Sequence, residues 1–178
     1  SQFLEMFGDE KCEINLASAC DTFLDGDWIE SKDQSTDGIR LVQTGNVGNG
    51  FFKDKDDKAR FISEETFQKL SCTEIFAGDI LISRLPDPIG RACIIPTIGK
   101  AITAVDCTIV RLKKGIIPEF FIAYTQTPKY QAAIKEVTTG TTRRRVSRDN
   151  LGKIAIPCPP IELQQKYMAI YRQADKSK

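Results

Sequence analysis

The sequence contains no histidine, and this absence excludes several classes of protein. Without histidine there is no Ser-His-Asp or Cys-His catalytic set, and the commonest zinc ligand is missing. No apolar run approaches the roughly 20 residues that a transmembrane helix needs. The start of the chain, SQFLEMFGDEK, has no basic segment followed by an apolar stretch, as a secretory signal would. We therefore expect a cytoplasmic protein without a membrane partner, and an enzyme only if carboxylates, lysine or cysteine do the chemistry.

Net charge is also nearly absent, because 25 basic residues face 24 acidic ones. This balance does not favour nucleic-acid binding, so any such binding must come from the local placement of charge. The six cysteines form no CxxC pair, and without an export signal we expect them to be reduced. Four of them lie in or beside apolar segments and are predicted to pack in the core: Cys20, Cys72, Cys93 and Cys107.

The motifs of several enzyme classes are missing as well. The sequence has neither GxxxxGK[ST] nor GxGxxG, so it gives no support to nucleotide binding on a glycine-rich loop. Pro86-Asp87 is not followed by the acid-x-Lys sequence of many metal nucleases. The PCPP segment at 157–160 lacks the polar first residue and the aromatic last residue of an amino-methyltransferase motif. We interpret it as a rigid entry to the last helix.

What is present predicts an α+β protein of one domain. Segments rich in Ile, Val and Thr predict strands at 39–43, 79–84, 91–95, 101–112 and 153–156. Ser63 is a candidate cap for a helix ending near Leu70. Pro118 suits the first position of another helix, which Pro128 is expected to split. Residues 161–175 have helical spacing of apolar side chains and predict an amphipathic helix.

The densest charge lies in a polar, basic segment predicted to be a loop, TTGTTRRRVSR at 138–148. Guanidinium groups pair with phosphates and bind guanine through two hydrogen bonds, and threonine hydroxyls are good phosphate donors. The alternative is a solvated basic loop, which is the commoner role of a charge run. The candidate DNA contacts in this segment are Thr141, Thr142, Arg143, Arg144, Arg145 and Arg148.

A second group of candidates follows the strand at 39–43. Gln43, Thr44, Asn46 and Asn49 lie in a turn, and Gln and Asn side chains can bind adenine through two hydrogen bonds. From the residues alone, a tight hairpin turn is the better interpretation of this segment. We expect three further basic residues in or beside the segment at 84–100 to add positive charge to one face: Arg84, Arg91 and Lys100.

The order of these segments resembles that of a known family. RLVQTGNVGNG, GDILISRLPDPIGRACII, AVDCTIVRL, PEFFIAYTQTPKYQAAI and GTTRRRVSRDNLGKIAIPCPPIELQQ follow one another as in the target recognition domain of type I restriction-modification specificity subunits. The similarity extends from about residue 14 to 175. No single motif is specific, and the resemblance depends on all five occurring in order.

The resemblance implies a mixed or antiparallel β-sheet target recognition domain with flanking helices. It also implies a C-terminal helix that is part of a coiled-coil spacer. Family members carry two such domains, and each reads one half of a split DNA site. Their helices pair antiparallel and set the spacing between the halves. Modification subunits supply S-adenosylmethionine and adenine methylation, and restriction subunits supply ATP-driven translocation and cleavage, with magnesium. The specificity subunit has no catalytic site, so no cofactor is expected in this chain.

On this basis we expect residues 1–8 to end a preceding spacer helix, 9–158 to form the recognition domain and 159–178 to start the next spacer helix. The last helix should pair with another copy or another subunit through an apolar stripe without a partner in this chain, formed by Leu163, Tyr167, Ile170 or Tyr171, and Ala174. The chain would be half of a two-domain subunit, or a natural half-subunit that pairs with itself. Other functions remain open: a recognition domain of a fused restriction-methylation enzyme, a metal-dependent nuclease or a protein-interaction module.

Overall fold

The computed structural model of the chain describes residues 6–7 and 12–176. In this part the chain is an α+β fold, and its strands and helices agree in type with most of the predicted segments. The strands are β1 (Glu13–Asn15), β2 (Cys20–Asp25), β3 (Ile39–Val42), β4 (Arg60–Ile62), β5 (Ile80–Ser83), β6 (Ala92–Ile94), β7 (Ala101–Thr103), β8 (Cys107–Leu112) and β9 (Ala155–Pro157). The α-helices are α1 (Glu64–Lys69), α2 (Pro118–Thr125), α3 (Pro128–Val137), α4 (Arg148–Gly152) and α5 (Ile161–Lys176).

The strands form three small sheets. A four-stranded antiparallel sheet has the order β2-β8-β5-β6, and a three-stranded sheet has the order β4-β3-β7. In the second sheet β3 is antiparallel to β4 and parallel to β7. Strands β1 and β9 form an antiparallel pair. The predicted mixed or antiparallel β-sheet architecture is therefore confirmed.

The four-stranded sheet lies between two apolar clusters. Ile80 and Ile82 of β5 face a core built on α2 and α3, while Leu81 faces a second core with Val42 and Val47. Side chains alternate along a strand, so both faces of β5 are buried. This explains why its sequence, ILIS, is apolar without alternation. Each fully buried aliphatic side chain contributes roughly 1.5–3 kcal/mol.

The helix starts follow the expected chemistry. The Ser63 hydroxyl oxygen accepts a hydrogen bond from Thr66 N at 3.1 Å and caps α1. Pro118 stands at the start of α2. Pro128 starts α3 after a cap in which Thr127 Oγ1 accepts from Tyr130 N at 3.3 Å. The predicted division of this helical segment is confirmed, because a proline accepts the first position of a helix but not its interior.

The last helix differs from the expectation in one respect. Tyr167 is only 6% exposed and packs edge-to-face on Phe7 and Phe120, so this part of the predicted stripe has a partner within the chain. The buried row is rotated toward Gln164, Tyr167 and Met168. Helical side chains three and four residues apart share a face, and this row holds α5 on the body of the protein. Leu163, Tyr171 and Ala174 are exposed.

Gln164 lies in PPIELQQ, at the end of the last segment of the family resemblance, and its role is structural. Its side chain is fully buried, accepts a hydrogen bond from Ile117 N at 2.8 Å and donates to Gly115 O at 2.7 Å. It also donates to Pro159 O at 2.8 Å. Three backbone groups on two segments are thus joined to α5 by one amide.

The sequence did not predict β1, β2 and β4, which are short or lack clear alternation. The predicted strand at 101–112 is two strands, β7 and β8, in different sheets. Thr44–Asn46 is a single 3-10 turn and not a hairpin turn, because residues 47–59 separate it from β4.

Of the predicted spacer end at 1–8, Met6 and Phe7 are helical and the rest lies outside the described residues. None of the described helices is long and apolar enough to cross a membrane.

Candidate nucleic-acid interface

The basic segment is a tight hairpin and not an open loop. Thr139 N donates to Arg145 O at 2.9 Å, and Arg145 N donates to Thr139 O at 3.0 Å. Gly140 has φ +96°, and a Cβ there would lie 2.6 Å from Arg143 O. Only glycine fits this position without strain. We call residues 139–145 the arginine hairpin; its exposed side chains include all the candidates in this range: Thr141, Thr142, Arg143, Arg144 and Arg145.

The base of the arginine hairpin is fixed to the body by Arg84. Val146 N donates to Arg84 O at 3.2 Å, and Arg84 Nη1 donates back to Val146 O at 3.1 Å. Arg84 Nη2 donates to Val105 O at 2.7 Å. Its Nε lies 3.2 Å from Asp25 Oδ1, which is within ion-pair distance but not aligned for a hydrogen bond. Arg84 is only 3% exposed, so direct contact with a base would break these bonds.

Arg148 lies at the other side of the same carboxylate. Its Nη1 is 4.0 Å from Asp25 Oδ2, and its side chain is partly exposed. Asp25, at the end of β2, also accepts a hydrogen bond at 3.0 Å from Thr108 Oγ1 on the neighbouring strand β8, which holds the carboxylate in place. Arg148 keeps a face toward solvent and remains available to a phosphate, while part of its charge is balanced by Asp25.

Arg91 joins two other loops and is only 9% exposed. Its Nε donates to Val47 O at 2.6 Å and its Nη2 to Thr44 O at 3.0 Å. Its Nη1 donates to Pro86 O at 2.6 Å and to Pro88 O at 3.0 Å. Burial lowers the pKa of Arg91, because removal from water disfavours the charged form. The expectation that Arg91 adds surface charge is wrong, since four carbonyl oxygens hold it inside.

Lys100 does not belong to this region either. Its Nζ lies 2.9 Å from Glu64 Oε1 and 4.2 Å from the centre of the Phe67 ring. This ion pair and cation–π contact place Lys100 beside α1, at the start of β7. The expected grouping of Arg84, Arg91 and Lys100 on one face is therefore wrong.

The four candidates after β3 differ in exposure: Asn46 is buried, Gln43 and Thr44 are partly exposed, and Asn49 is exposed. Asn46 Oδ1 accepts a hydrogen bond from Gln43 N at 2.9 Å, and its Nδ2 donates to Lys53 O at 3.0 Å. This amide shapes the turn and has little surface to offer a base. Gln43 and Thr44 are half-buried. Gln43 lines an open polar cleft of about 660 Å³ with Ser31, Gln34, Ser35, Thr36, Ala59 and Arg60.

The three-stranded sheet brings Gln43 and Val105 to the same end of its parallel strands. Strands β3 and β7 are parallel with Val42 opposite Thr103, so both chains leave the sheet in the same direction. Gln43 follows β3 directly, and Val105 lies two residues beyond β7. Arg84 donates hydrogen bonds both to Val105 O and to Val146 O at the base of the arginine hairpin. This end of the sheet therefore adjoins the arginine hairpin.

Three segments thus meet at one end of the molecule, and we call them together the recognition edge: residues 43–47, 85–88 and 139–145. Arg91 joins the first segment to the second, and Arg84 fixes the third to the sheet. A cavity of about 360 Å³ between the second and third segments is lined by Leu85, Pro86, Asp87, Thr142, Arg143 and Arg144. The sequence indicated the arginines but not their position beside 85–88, because no local pattern reports a contact between distant segments.

The cysteines do not form a reactive site. Cys20, Cys93 and Cys107 are free thiols and are buried. Burial raises the pKa of Cys20 and Cys93 to about 12 and that of Cys107 to about 11, so these thiols stay protonated at neutral pH. Across residues 6–7 and 12–176, no group of three or more His, Cys, Asp or Glu side chains is placed to hold a metal ion.

Residues 22–178 match the family of type I restriction modification DNA specificity domains, and the chain belongs to that family. The match confirms the resemblance found in the order of the sequence segments. The chain is therefore a DNA specificity domain, a recognition component rather than a catalytic one. No curated protein has a sequence that matches this chain.

Solved structures share the fold at low sequence identity. One comes from work on complex assembly and conformational transition of the type I restriction-modification system, with TM-score 0.68, 17% identity and coverage of 93% of this chain and 38% of that one. The HsdS subunit from Thermoanaerobacter tengcongensis has a TM-score of 0.67 and 16% identity, and the match covers 93% of this chain and 37% of that one. The type I restriction-modification S subunit from M. genitalium has a TM-score of 0.60 and 18% identity, and the match covers 98% of this chain and 41% of that one. This chain therefore spans about two fifths of the length of these structures.

Proposed function

We propose that this chain reads one half of a split double-stranded DNA site for a type I restriction-modification complex in the cytoplasm. The observation that carries the proposal is the arginine hairpin, which exposes Arg143, Arg144 and Arg145 on a base fixed by Arg84. Three adjacent guanidinium groups repel one another in water and are stabilised by an anion among them. Phosphates supply that anion, and the bases beside them supply acceptors for sequence reading.

The roles of the other candidates follow from their burial. Thr141 and Thr142 are exposed and suit phosphate contacts beside the arginines, and Arg148 adds a partly neutralised charge. Gln43 and Thr44 are partly exposed and suit contacts with DNA at the border of the recognition edge. We assign Arg84 and Asn46 to positioning, because their polar atoms are already used within the protein.

Partner subunits would do the chemistry in this proposal. Modification subunits would bind S-adenosylmethionine and methylate adenine, and restriction subunits would use ATP and magnesium. The exposed row on α5, which includes Leu163 and Ala174, would pair with the spacer helix of the other half of the subunit or with a second copy. Sedimentation velocity of the chain and of Leu163→Glu tests this pairing: a self-association that the substitution leaves intact would contradict it.

Selection from randomised duplexes, with the chain and modification subunits together, would identify the recognised sequence. On that duplex, Arg144→Ala should weaken binding by roughly 1–3 kcal/mol if Arg144 reads guanine. If Arg144 contacts phosphate instead, the loss should be similar on all duplexes, and the dependence of affinity on salt should fall by about one charge. Titration by fluorescence anisotropy at several salt concentrations measures both quantities.

Lys114→Ala is the matched control, because Lys114 is exposed and lies beyond the opposite end of β8 from the recognition edge. We expect its affinity and salt dependence to equal those of the unmodified chain. Unchanged affinity and salt dependence in Arg144→Ala would exclude this role for Arg144. A wild-type complex that selects no sequence would contradict the proposed function as a whole.

A further inference from the structure

Trp28 is the only tryptophan of the chain and the most exposed large apolar side chain among the described residues, at 71%. An indole of this size removes a large apolar area from water when it binds a partner. We propose that Trp28 packs against double-stranded DNA as a further contact residue of the recognition edge. This inference rests on the proposed function and extends it to a residue without charge.

The backbone around Trp28 directs the chain toward the recognition edge. Asp27 N donates to Thr103 O at 2.9 Å, and Asp27 forms a parallel bridge with Ala104. A Cβ on Gly26 would lie 2.2 Å from Ala104 O, so this close approach requires glycine. Gly26 therefore lets the chain leave the end of β2 and continue beside the end of β7.

Three parallel segments then end side by side. Asp27 lies against Ala104, and Ala104 N in turn donates to Val42 O at 3.0 Å. The residues that follow are Trp28 in the first segment, Val105 in the second and Gln43 in the third. Parallel segments leave a sheet in one direction, so Trp28 emerges at the same edge as the DNA-reading candidates.

Arg84 connects this edge to the arginine hairpin. It donates to Val105 O at 2.7 Å and to Val146 O at 3.1 Å, and its Nε lies 3.2 Å from Asp25, three residues before Trp28. Trp28 thus follows, three residues later, a carboxylate that contacts the arginine at the base of the arginine hairpin, and this hairpin exposes three guanidinium groups. An exposed aromatic ring at the same end of the sheet as these positive charges fits a duplex, which has anionic phosphates and apolar thymine methyl groups in its major groove.

The test compares Trp28→Ala and Trp28→Phe in the complex with modification subunits, on the duplex found by selection. Burial of a large apolar side chain contributes about 1.5–3 kcal/mol, so Trp28→Ala should raise Kd roughly 10- to 150-fold. Trp28→Phe should recover part of the loss. The salt dependence should stay unchanged in both, because the indole carries no charge.

Phe76→Ala is the matched control. Phe76 is 52% exposed and follows Ile75, which pairs with Ala101 at the opposite end of β7 from Ala104. We expect no change in Kd for this variant. Thermal melting should show that Trp28→Ala is folded, because an exposed side chain contributes little to stability.

The single tryptophan also gives a direct signal. At saturation with the duplex, confirmed by anisotropy of a labelled strand, the fluorescence of Trp28 in the chain should be quenched or shifted. Unchanged fluorescence at saturation would overturn the inference. Unchanged affinity in Trp28→Ala, with weakened binding in Arg144→Ala, would overturn it while leaving the proposed function intact. If Trp28→Ala weakens only assembly with the modification subunits, Trp28 is a protein contact and the DNA inference fails.

Discussion

Arginine has opposite roles in two regions of this molecule. In the interior, Arg84 and Arg91 are nearly inaccessible and donate to backbone carbonyl oxygens on four separate segments. In the arginine hairpin, residues 143–145 extend into solvent. The residue type is the same, and only the surroundings differ. The comparison shows that a guanidinium group surrounded by carbonyl oxygens holds loops in place, while one without them stays available to an anion.

The two roles also depend on each other. The arginine hairpin can hold its side chains in one direction only if its base is fixed. Arg84 donates one hydrogen bond to Val146 O, at that base, and one to Val105 O, beside it. Arg91 does the same for the segments at 44–47 and 86–88. A recognition surface built on loops needs rigid anchors, because contacts held loosely lose both affinity and selectivity.

The largest effect is expected for Arg91→Met. Methionine has a similar length but leaves four carbonyl oxygens without their donor. Because unmade hydrogen bonds of buried groups cost about 1–3 kcal/mol each, the free energy of unfolding should fall by about 3 kcal/mol or more. Urea denaturation followed by circular dichroism measures this. A loss below about 1 kcal/mol would show that Arg91 is not an anchor.

A smaller loss of stability is expected for Arg84→Met, of about 2 kcal/mol, because two carbonyl oxygens lose their donor. This variant should also weaken DNA binding, since the hairpin base is released while Arg143, Arg144 and Arg145 are unchanged. Hydrogen exchange should be faster at the amides of Thr139 and Arg145, which close the hairpin. Unchanged hydrogen exchange at these two amides, together with unchanged DNA affinity, would show that the arginine hairpin does not depend on Arg84.

The smallest effect on stability is expected for Arg144→Ala. The side chain is exposed, so the free energy of unfolding should change by no more than about 0.5 kcal/mol. A small increase in the free energy of unfolding is also consistent with an exposed role for Arg144, because the substitution removes one of three adjacent positive charges. Thermal melting at low and at high salt measures both. A loss above 1 kcal/mol would place Arg144 among the anchors.

Most of the predicted segments could be placed from sequence because their signals are local. Ser63, Pro118 and Pro128 act through the backbone within four residues, and the structure has helices where they indicated. The short strands β1 and β4 escaped prediction, because three residues give no period. They exist only through pairing with β9 and β3, which lie far away in the sequence.

The sequence by itself determined the fold class, the family and the presence of a dense arginine cluster. Tertiary structure decided which arginines are available to DNA. Arg91 reaches Thr44 across 47 positions, and Arg84 reaches Val146 across 62. Burial and hydrogen bonding at such separations depend on how the sheets pack, which no window of neighbouring residues contains. The same packing brings the segment that carries Trp28 to the ends of β3 and β7, where Val105 O accepts a hydrogen bond from Arg84.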